Sequence, residues 1–249
     1  MLSRKHVAMV VAEILGTALL TSVVLSVGRS PIGLPYFVAI AAGVTLALMV
    51  LVVGPTSGAH LNPAVTLGLW TIRKVNTVKA LLYIAAQFMG AALAWRLYTY
   101  LIDGPVKSIA NKEFDWRVLV AELVGTFIFT FGIAAAVYQN QEGGKRAATI
   151  GAALMLGAIV ASVASNGLLN PAVALGVQSW SKAYVFGPLV GAILGMNLYA
   201  LLFADKEALI SVVASKAKTA KTTKVSGKAK TKVARKAPAK KKPAARKKR

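Results

Sequence analysis

Six mostly apolar stretches, each long enough to cross a bilayer as a helix, recur along the chain between short segments that hold most of the charges. A spanning helix needs about 20 such residues. The first stretch is too long for a signal peptide and contains Glu13, so we interpret it as a retained span. The pattern predicts an all-α membrane protein whose transmembrane helices cover approximately residues 8–28, 35–54, 79–101, 117–138, 147–165 and 183–204.

Two apolar runs are longer than a single span requires. Residues 30–72 and residues 147–181 contain no Asp, Glu, Lys or Arg. Gly and Pro interrupt the surplus part of each run, which is typical of a loop that turns back inside the protein and ends in a short helix. We therefore expect two re-entrant half-helices in addition to the six spans.

The two long runs contain matching sequences, and a second motif repeats with nearly the same offset. Ser-Gly-Ala-His-Leu-Asn-Pro-Ala-Val begins at Ser57, and Ser-Asn-Gly-Leu-Leu-Asn-Pro-Ala-Val begins 108 residues later at Ser165. The segment Ala-Glu-Ile-Leu-Gly-Thr around Glu13 returns 109 residues later as Ala-Glu-Leu-Val-Gly-Thr around Glu122. Each copy has three spans, an odd number, so the second copy must enter the membrane from the opposite face. The sequence thus predicts an inverted repeat.

Composition divides the chain into two parts. The protein is 56% hydrophobic and lacks cysteine, yet its formal net charge is +22, and 17 of its 30 Lys and Arg lie in residues 205–249. We predict a membrane domain over 1–204, with repeats at about 7–101 and 116–204, and a disordered Lys- and Ala-rich cytoplasmic tail over 205–249. This composition excludes an ordinary soluble enzyme and a disulfide-rich secreted domain.

Basic residues in the short connections predict the orientation, because cytoplasmic loops carry an excess of Lys and Arg. The side that bears the N-terminus holds Arg4, Lys5, Arg73, Lys74, Lys79, Lys145 and Arg146. The opposite side holds Arg29, Lys107, Lys112, Arg117 and Lys182, with three acids among them. Both termini are therefore predicted to be cytoplasmic, and a plasma membrane or bacterial inner membrane is the default location.

Each Asn-Pro-Ala triplet suits the start of a short helix, because Asn is a favoured cap and Pro is tolerated at the first helical position. Two half-helices entering from opposite faces would meet at their N-termini, with their positive dipole ends and the Asn amides facing a pore. Cations would meet a barrier there, and a water accepting from both amides could not stay in a proton-conducting chain. The candidate residues are Asn62, Pro63, Ala64, Asn170, Pro171 and Ala172.

Glu13 and Glu122 lie within predicted spans, where an unpaired carboxylate is expensive. We expect each to accept hydrogen bonds from the backbone of a re-entrant loop, and a proton relay is the alternative. His60 is expected to be a buried hydrogen-bonding residue, since His6 is the only other histidine and a metal site has little support. The sequence offers no thiol, no phosphate-binding loop and no credible Ser/His/Asp set, so we expect neither an enzyme nor a cofactor.

Over roughly residues 5–204 the chain closely resembles the aquaporin, or major intrinsic protein, family of membrane channels. Residues 57–66 match the first family signature, and Gln87, Gly90, Gly187, Pro188 and Gly191 also fit. The resemblance implies a homotetramer with one pore in each subunit. Backbone carbonyls of six loop residues are expected to line the solute path, namely Gly58, Ala59, His60, Asn166, Gly167 and Leu168.

The chain departs from most relatives directly after the second triplet, where Val173 stands in place of Arg. Counting from the triplets puts the rest of the narrow constriction at Ala42, Ala158 and Gly167, so all four side chains are small and apolar. The resemblance therefore implies a wider and less polar pore than in water-selective members. We expect passive permeation of water together with glycerol, urea, ammonia or peroxide.

The main alternative is a non-conducting membrane scaffold whose basic tail binds anionic lipid headgroups or, with less support, nucleic acid. Asn62 and Asn170 favour the channel, because a scaffold has no need of two donors at the midplane. A cation-conducting channel is a third interpretation, motivated only by the missing Arg.

Overall fold

The computed structural model describes residues 3–31, 34–108 and 113–204, and these residues form helices and turns without a strand. Six helices are long and apolar enough to cross a membrane, and two are short. In chain order they are α1 (Arg4–Gly28), α2 (Pro35–Ser57), α3 (Pro63–Thr71), α4 (Thr77–Leu101), α5 (Trp116–Tyr138), α6 (Gly143–Ala161), α7 (Pro171–Gly176) and α8 (Lys182–Phe203). The predicted fold class is confirmed, whereas the predicted disordered tail lies outside the described residues.

The approximate bounds of the fifth span, 147–165, are displaced by four residues from those of α6, which covers Gly143–Ala161. Counting only uncharged positions excluded Lys145 and Arg146, but both lie in the first turn of α6, where long basic side chains can reach the membrane surface. The helix ends at Ala161 because the following residues turn toward the second re-entrant loop. The second span likewise continues past residue 54 to Ser57, with a proline inside its last turn.

The helices pack in a pattern that repeats between the two halves. Helix α1 packs on α2 and α4, just as α5 packs on α6 and α8, and α2 packs on α6 at the centre. The half-helices cross over, since α3 packs mainly against α8 and α7 mainly against α4. This exchange brings α3 and α7 into contact between the two halves.

Two glycines set the spacing of α2 and α6. A Cβ atom placed on Gly43 would lie 2.6 Å from the backbone oxygen of Gly151, and one placed on Gly151 would lie 2.5 Å from the backbone oxygen of Gly43. Such contacts are too close for any larger residue. The pair therefore fixes the distance between the helices that carry Ala42 and Ala158.

Candidate functional site

The Asn side chains of the two triplets cap the half-helices. Asn62 Oδ1 accepts a hydrogen bond from Ala64 N at 2.8 Å, and Asn170 Oδ1 accepts from Ala172 N at 3.0 Å and from Val173 N at 3.3 Å. A proline follows each Asn at the first helical position, where its missing N–H leaves no partner unsatisfied. Local sequence chemistry therefore explains why both short helices begin where they do.

The same two Asn side chains also join the loops to each other. Asn62 Nδ2 donates to the backbone oxygen of Leu169 at 2.8 Å, and Asn170 Nδ2 donates to that of Leu61 at 2.9 Å. An amide nitrogen carries two hydrogens, so each Asn retains one N–H beyond this reciprocal bond. Sequence reasoning missed the bond, because nothing local to either triplet indicates it.

The accepting leucines have unusual backbone conformations. Leu61 has φ 51° and Leu169 has φ 53°, in the left-handed region that non-glycine residues rarely adopt. Each of these leucines is the residue whose carbonyl oxygen accepts the hydrogen bond from the Asn of the other loop. Leucine gives no sequence signal for such a turn, so these positions were also missed.

Glu13 holds the first re-entrant loop and is fully buried. Its Oε1 accepts from Ser57 Oγ at 2.7 Å and from His60 N at 3.0 Å. Its Oε2 accepts from Leu61 N at 2.8 Å and from Gln87 Nε2 at 2.7 Å. All four partners are donors, so the carboxylate satisfies groups of the loop and of α4 at once, as expected for a supporting role.

Glu122 holds the second re-entrant loop in the same way and is also fully buried. Its Oε1 accepts from Ser165 Oγ at 2.8 Å and from Leu168 N at 3.0 Å, while its Oε2 accepts from Leu169 N at 2.7 Å. Both carboxylates thus bond to the residue just before an Asn, and through it they influence where the Asn amides lie.

One cavity, which we call the apolar cavity, is narrow, with a volume of about 20 Å³, close to the room that one water molecule needs. It is bordered by all four residues assigned to the constriction from the sequence, Ala42, Ala158, Gly167 and Val173. Asn62, Asn170, His60, Asn166 and Leu168 border it as well. Among the described residues that line this cavity, none is Asp, Glu, Lys or Arg.

A second cavity, which we call the basic vestibule, is much larger, with a volume of about 390 Å³, and opens to solvent. Gly58 and Ala59 border it, together with Lys74, Lys79 and Arg146. The apolar cavity and the basic vestibule share three lining residues, Leu46, His60 and Phe129. The two cavities therefore adjoin beside the two re-entrant loops, and we refer to them together as the candidate solute route.

His60 lies at this junction and is tied to its surroundings by side-chain contacts. Its Nδ1 lies 3.1 Å from Thr66 Oγ1, which in turn accepts from Gln87 Nε2 at 2.9 Å. The His60 ring also packs edge-on against Tyr83, with 5.0 Å between ring centroids. The described part of the chain contains no cluster of three or more His, Cys, Asp or Glu that could hold a metal.

A family model described as Major intrinsic protein matches residues 2–199 of this chain. The chain belongs to the major intrinsic protein family. Aquaporin Z of Photorhabdus laumondii is 32% identical over 225 residues, covering 79% of this chain and 97% of that protein. Aquaporin AqpM of Methanothermobacter marburgensis is 30% identical over 224 residues, covering 76% of this chain and 91% of that protein.

The fold agrees with this membership. The X-ray structure of the aquaglyceroporin from Plasmodium falciparum matches with a TM-score of 0.62 at 21% identity, and the match covers 83% of this chain and 99% of that one. As a member of the major intrinsic protein family, the chain is an integral membrane protein and a passive channel for water and small solutes, and it is not an enzyme.

Proposed function

We propose that this channel conducts small neutral solutes of the glycerol, urea, ammonia or peroxide class in addition to water. The observation that carries the proposal is the lining of the apolar cavity, where Ala42, Ala158, Gly167 and Val173 converge without a charged neighbour among the described lining residues. An Arg at position 173 would add a fixed positive charge and several donors. Val173 adds neither, so the cavity at this level is wider and less polar than it would be with Arg.

The walls of the apolar cavity suit a solute that has both C–H and O–H or N–H groups. Leu20, Val24 and Leu154 supply apolar surface, whereas Asn166, Gly167 and Leu168 supply candidate backbone acceptors on the loop side. Glycerol and urea carry donors that could replace their water contacts with such carbonyls. We assign Asn62 and Asn170 as the donors that meet the solute at the loop junction, and Glu13 and Glu122 as the groups that hold the loops.

Assembly and orientation follow from the family and from the charge distribution. Homotetramers are typical of major intrinsic proteins, and we propose the same state here, with one pore per subunit. We also propose that both termini face the cytoplasm across a plasma membrane or bacterial inner membrane. The excess of basic residues in the connections on the side of the N-terminus supports this orientation.

Stopped-flow light scattering of proteoliposomes under water, glycerol and urea gradients tests the proposal. We expect flux above that of protein-free liposomes for all three, and we expect Val173→Arg to lower glycerol flux by about tenfold, which corresponds to about 1.4 kcal/mol of added barrier. Val163→Arg is the matched control, because Val163 is 90% exposed and does not border the apolar cavity.

Two results would contradict the proposal. Glycerol flux that is unchanged in Val173→Arg would show that position 173 does not limit the solute. Absence of flux for water, glycerol and urea would favour the non-conducting scaffold.

A further inference from the structure

The two cavities along the route differ sharply in charge. Lys74, Lys79 and Arg146 border the basic vestibule, and Glu142 is the only acid among its described lining residues, which leaves a formal excess of two positive charges. The described lining of the apolar cavity has no charged side chain. The positive charge along this route is therefore concentrated in the vestibule, away from position 173.

The vestibule amines are held in defined places on its wall. Lys74 Nζ lies 4.6 Å from the centroid of the Tyr138 ring, and Lys79 Nζ lies 4.8 Å from the centroid of the Tyr83 ring. Cation–π contacts of this kind stabilise an ammonium group without neutralising it. Arg146 is half-buried in the first turn of α6. The three charges come from three separate segments and converge on one opening.

Arg29 is the basic residue that could have served the other end of the route, but it is committed elsewhere. It does not border the apolar cavity, and its Nη2 donates to the backbone oxygens of Lys107 at 2.7 Å and Val177 at 3.2 Å. Arg29 thus joins loops on that side of the molecule and borders a separate cavity, which shares Val24, Pro35, Val38, Asn166 and Leu168 with the apolar cavity. The lining of the apolar cavity itself has no charge among the described residues.

We propose that the basic vestibule, through Lys74, Lys79 and Arg146, is a cation filter of this channel, in addition to the barrier expected at the N-termini of the half-helices. A cleft lined by charges of one sign between low-dielectric walls focuses their field, so a cation entering it meets a repulsive potential. A neutral solute meets no such barrier. Placing the charges in the wide vestibule separates cation exclusion from pore width and allows a constriction without Arg. This inference rests on the proposed function and assigns part of its selectivity to named residues.

The test compares potassium and glycerol permeation in proteoliposomes that contain the full chain. We expect the triple variant Lys74→Gln, Lys79→Gln, Arg146→Gln to raise the ratio of potassium flux to glycerol flux by about tenfold, the lower end of what such focusing achieves. The control triple Arg96→Gln, Arg117→Gln, Lys182→Gln removes the same charge from exposed positions, and none of its residues borders the vestibule or is a chain neighbour of one of its three basic residues. Neither this control nor Arg29→Gln should change the ratio.

Ionic strength provides a second measurement on the unsubstituted protein. Because the Debye length falls from about 30 Å at 0.01 M to about 10 Å at 0.1 M salt, screening should raise the ratio in the unsubstituted channel and leave the vestibule variant nearly unaffected. If the vestibule variant conducts glycerol but still excludes potassium, this inference is wrong, whereas the proposed function still stands. An equal rise in the control triple or in Arg29→Gln also overturns it. Absence of neutral flux in the unsubstituted protein overturns the proposed function itself.

Discussion

The two re-entrant loops share the left-handed conformation of Leu61 and Leu169 and a buried carboxylate, but the side chains around them differ. Glu13 accepts from four donors, one of which is Gln87 on α4. Glu122 accepts from three, and the position on α8 that corresponds to Gln87 is Pro188, which has no side-chain donor. The carboxylate of the first loop therefore has a side-chain donor on a spanning helix, whereas the carboxylate of the second loop has none at the corresponding position.

The tyrosines that flank the loops show a second difference. Tyr83 and Tyr184 occupy corresponding places on α4 and α8, yet Tyr83 Oη donates to the backbone oxygen of Ser57 at 2.8 Å, whereas Tyr184 Oη accepts from Asn166 N at 2.9 Å. One hydroxyl satisfies an acceptor and the other a donor. The comparison teaches that the duplicated backbone is kept by different side-chain partners, so equivalent substitutions should have unequal effects.

The largest expected effect is that of removing a carboxylate. Glu122→Ala leaves the N–H groups of Leu168 and Leu169 unpaired in a buried place, at roughly 1–3 kcal/mol for each group. Glu13→Ala should cost less, because the amide of Gln87 can turn its oxygen toward the first loop. Thermal unfolding in detergent measures the loss of stability in each variant, and a flux assay measures the loss of permeation. Equal losses in the two variants would contradict the expected difference between the two loops.

Next in size is the effect of removing a capping Asn. We expect Asn170→Ala to destabilise the protein by about 2 kcal/mol and Asn62→Ala by slightly less, since Asn170 caps two N–H groups and Asn62 one. Asn76→Ala is the control, because Asn76 caps α4 at Lys79 N but lies outside the loop junction. Loss of stability no greater than in the control would mean that the bonds between the loops contribute little.

A smaller change should make the first loop behave like the second. Gln87→Ala removes the donor to Glu13 and the bond to Thr66, at about 1 kcal/mol for each hydrogen bond. In this background, Glu13→Ala should cost as much as Glu122→Ala does in the unsubstituted chain. If Gln87→Ala leaves the cost of Glu13→Ala unchanged in unfolding measurements, Gln87 is not the compensating group.

The smallest expected effect separates the two tyrosines. Tyr184→Phe should cost about 1 kcal/mol, because it leaves Asn166 N without its partner, whereas Tyr83→Phe should cost less, since an under-satisfied carbonyl is better tolerated than an orphaned N–H. Unfolding midpoints in detergent measure the difference. The reverse order would show that the Tyr83 bond at Ser57 carries more of the loop's stability.

Much of the fold could be predicted from the sequence because its signals are local. Apolar length defined the six spans, and cap chemistry at Asn62 and Asn170 placed the half-helices. The approximate bounds of the fifth span were displaced by four residues from those of α6, because its start was placed after Lys145 and Arg146, which lie in the first turn of the helix. Counting residues from the two triplets predicted that Ala42, Ala158, Gly167 and Val173 belong together, and all four border the apolar cavity. Their role in selectivity remains a prediction.

By itself the sequence determined a membrane-embedded duplication with two capped half-helices, and it predicted a constriction without Arg. Only the tertiary structure decided how the halves meet, through the bonds from Asn62 to Leu169 and from Asn170 to Leu61. It also gathered Lys74, Lys79 and Arg146 around one opening. The reason is physical: caps and span lengths depend on neighbouring residues, whereas a bond between loops or a shared field depends on groups far apart in the chain that only packing brings together.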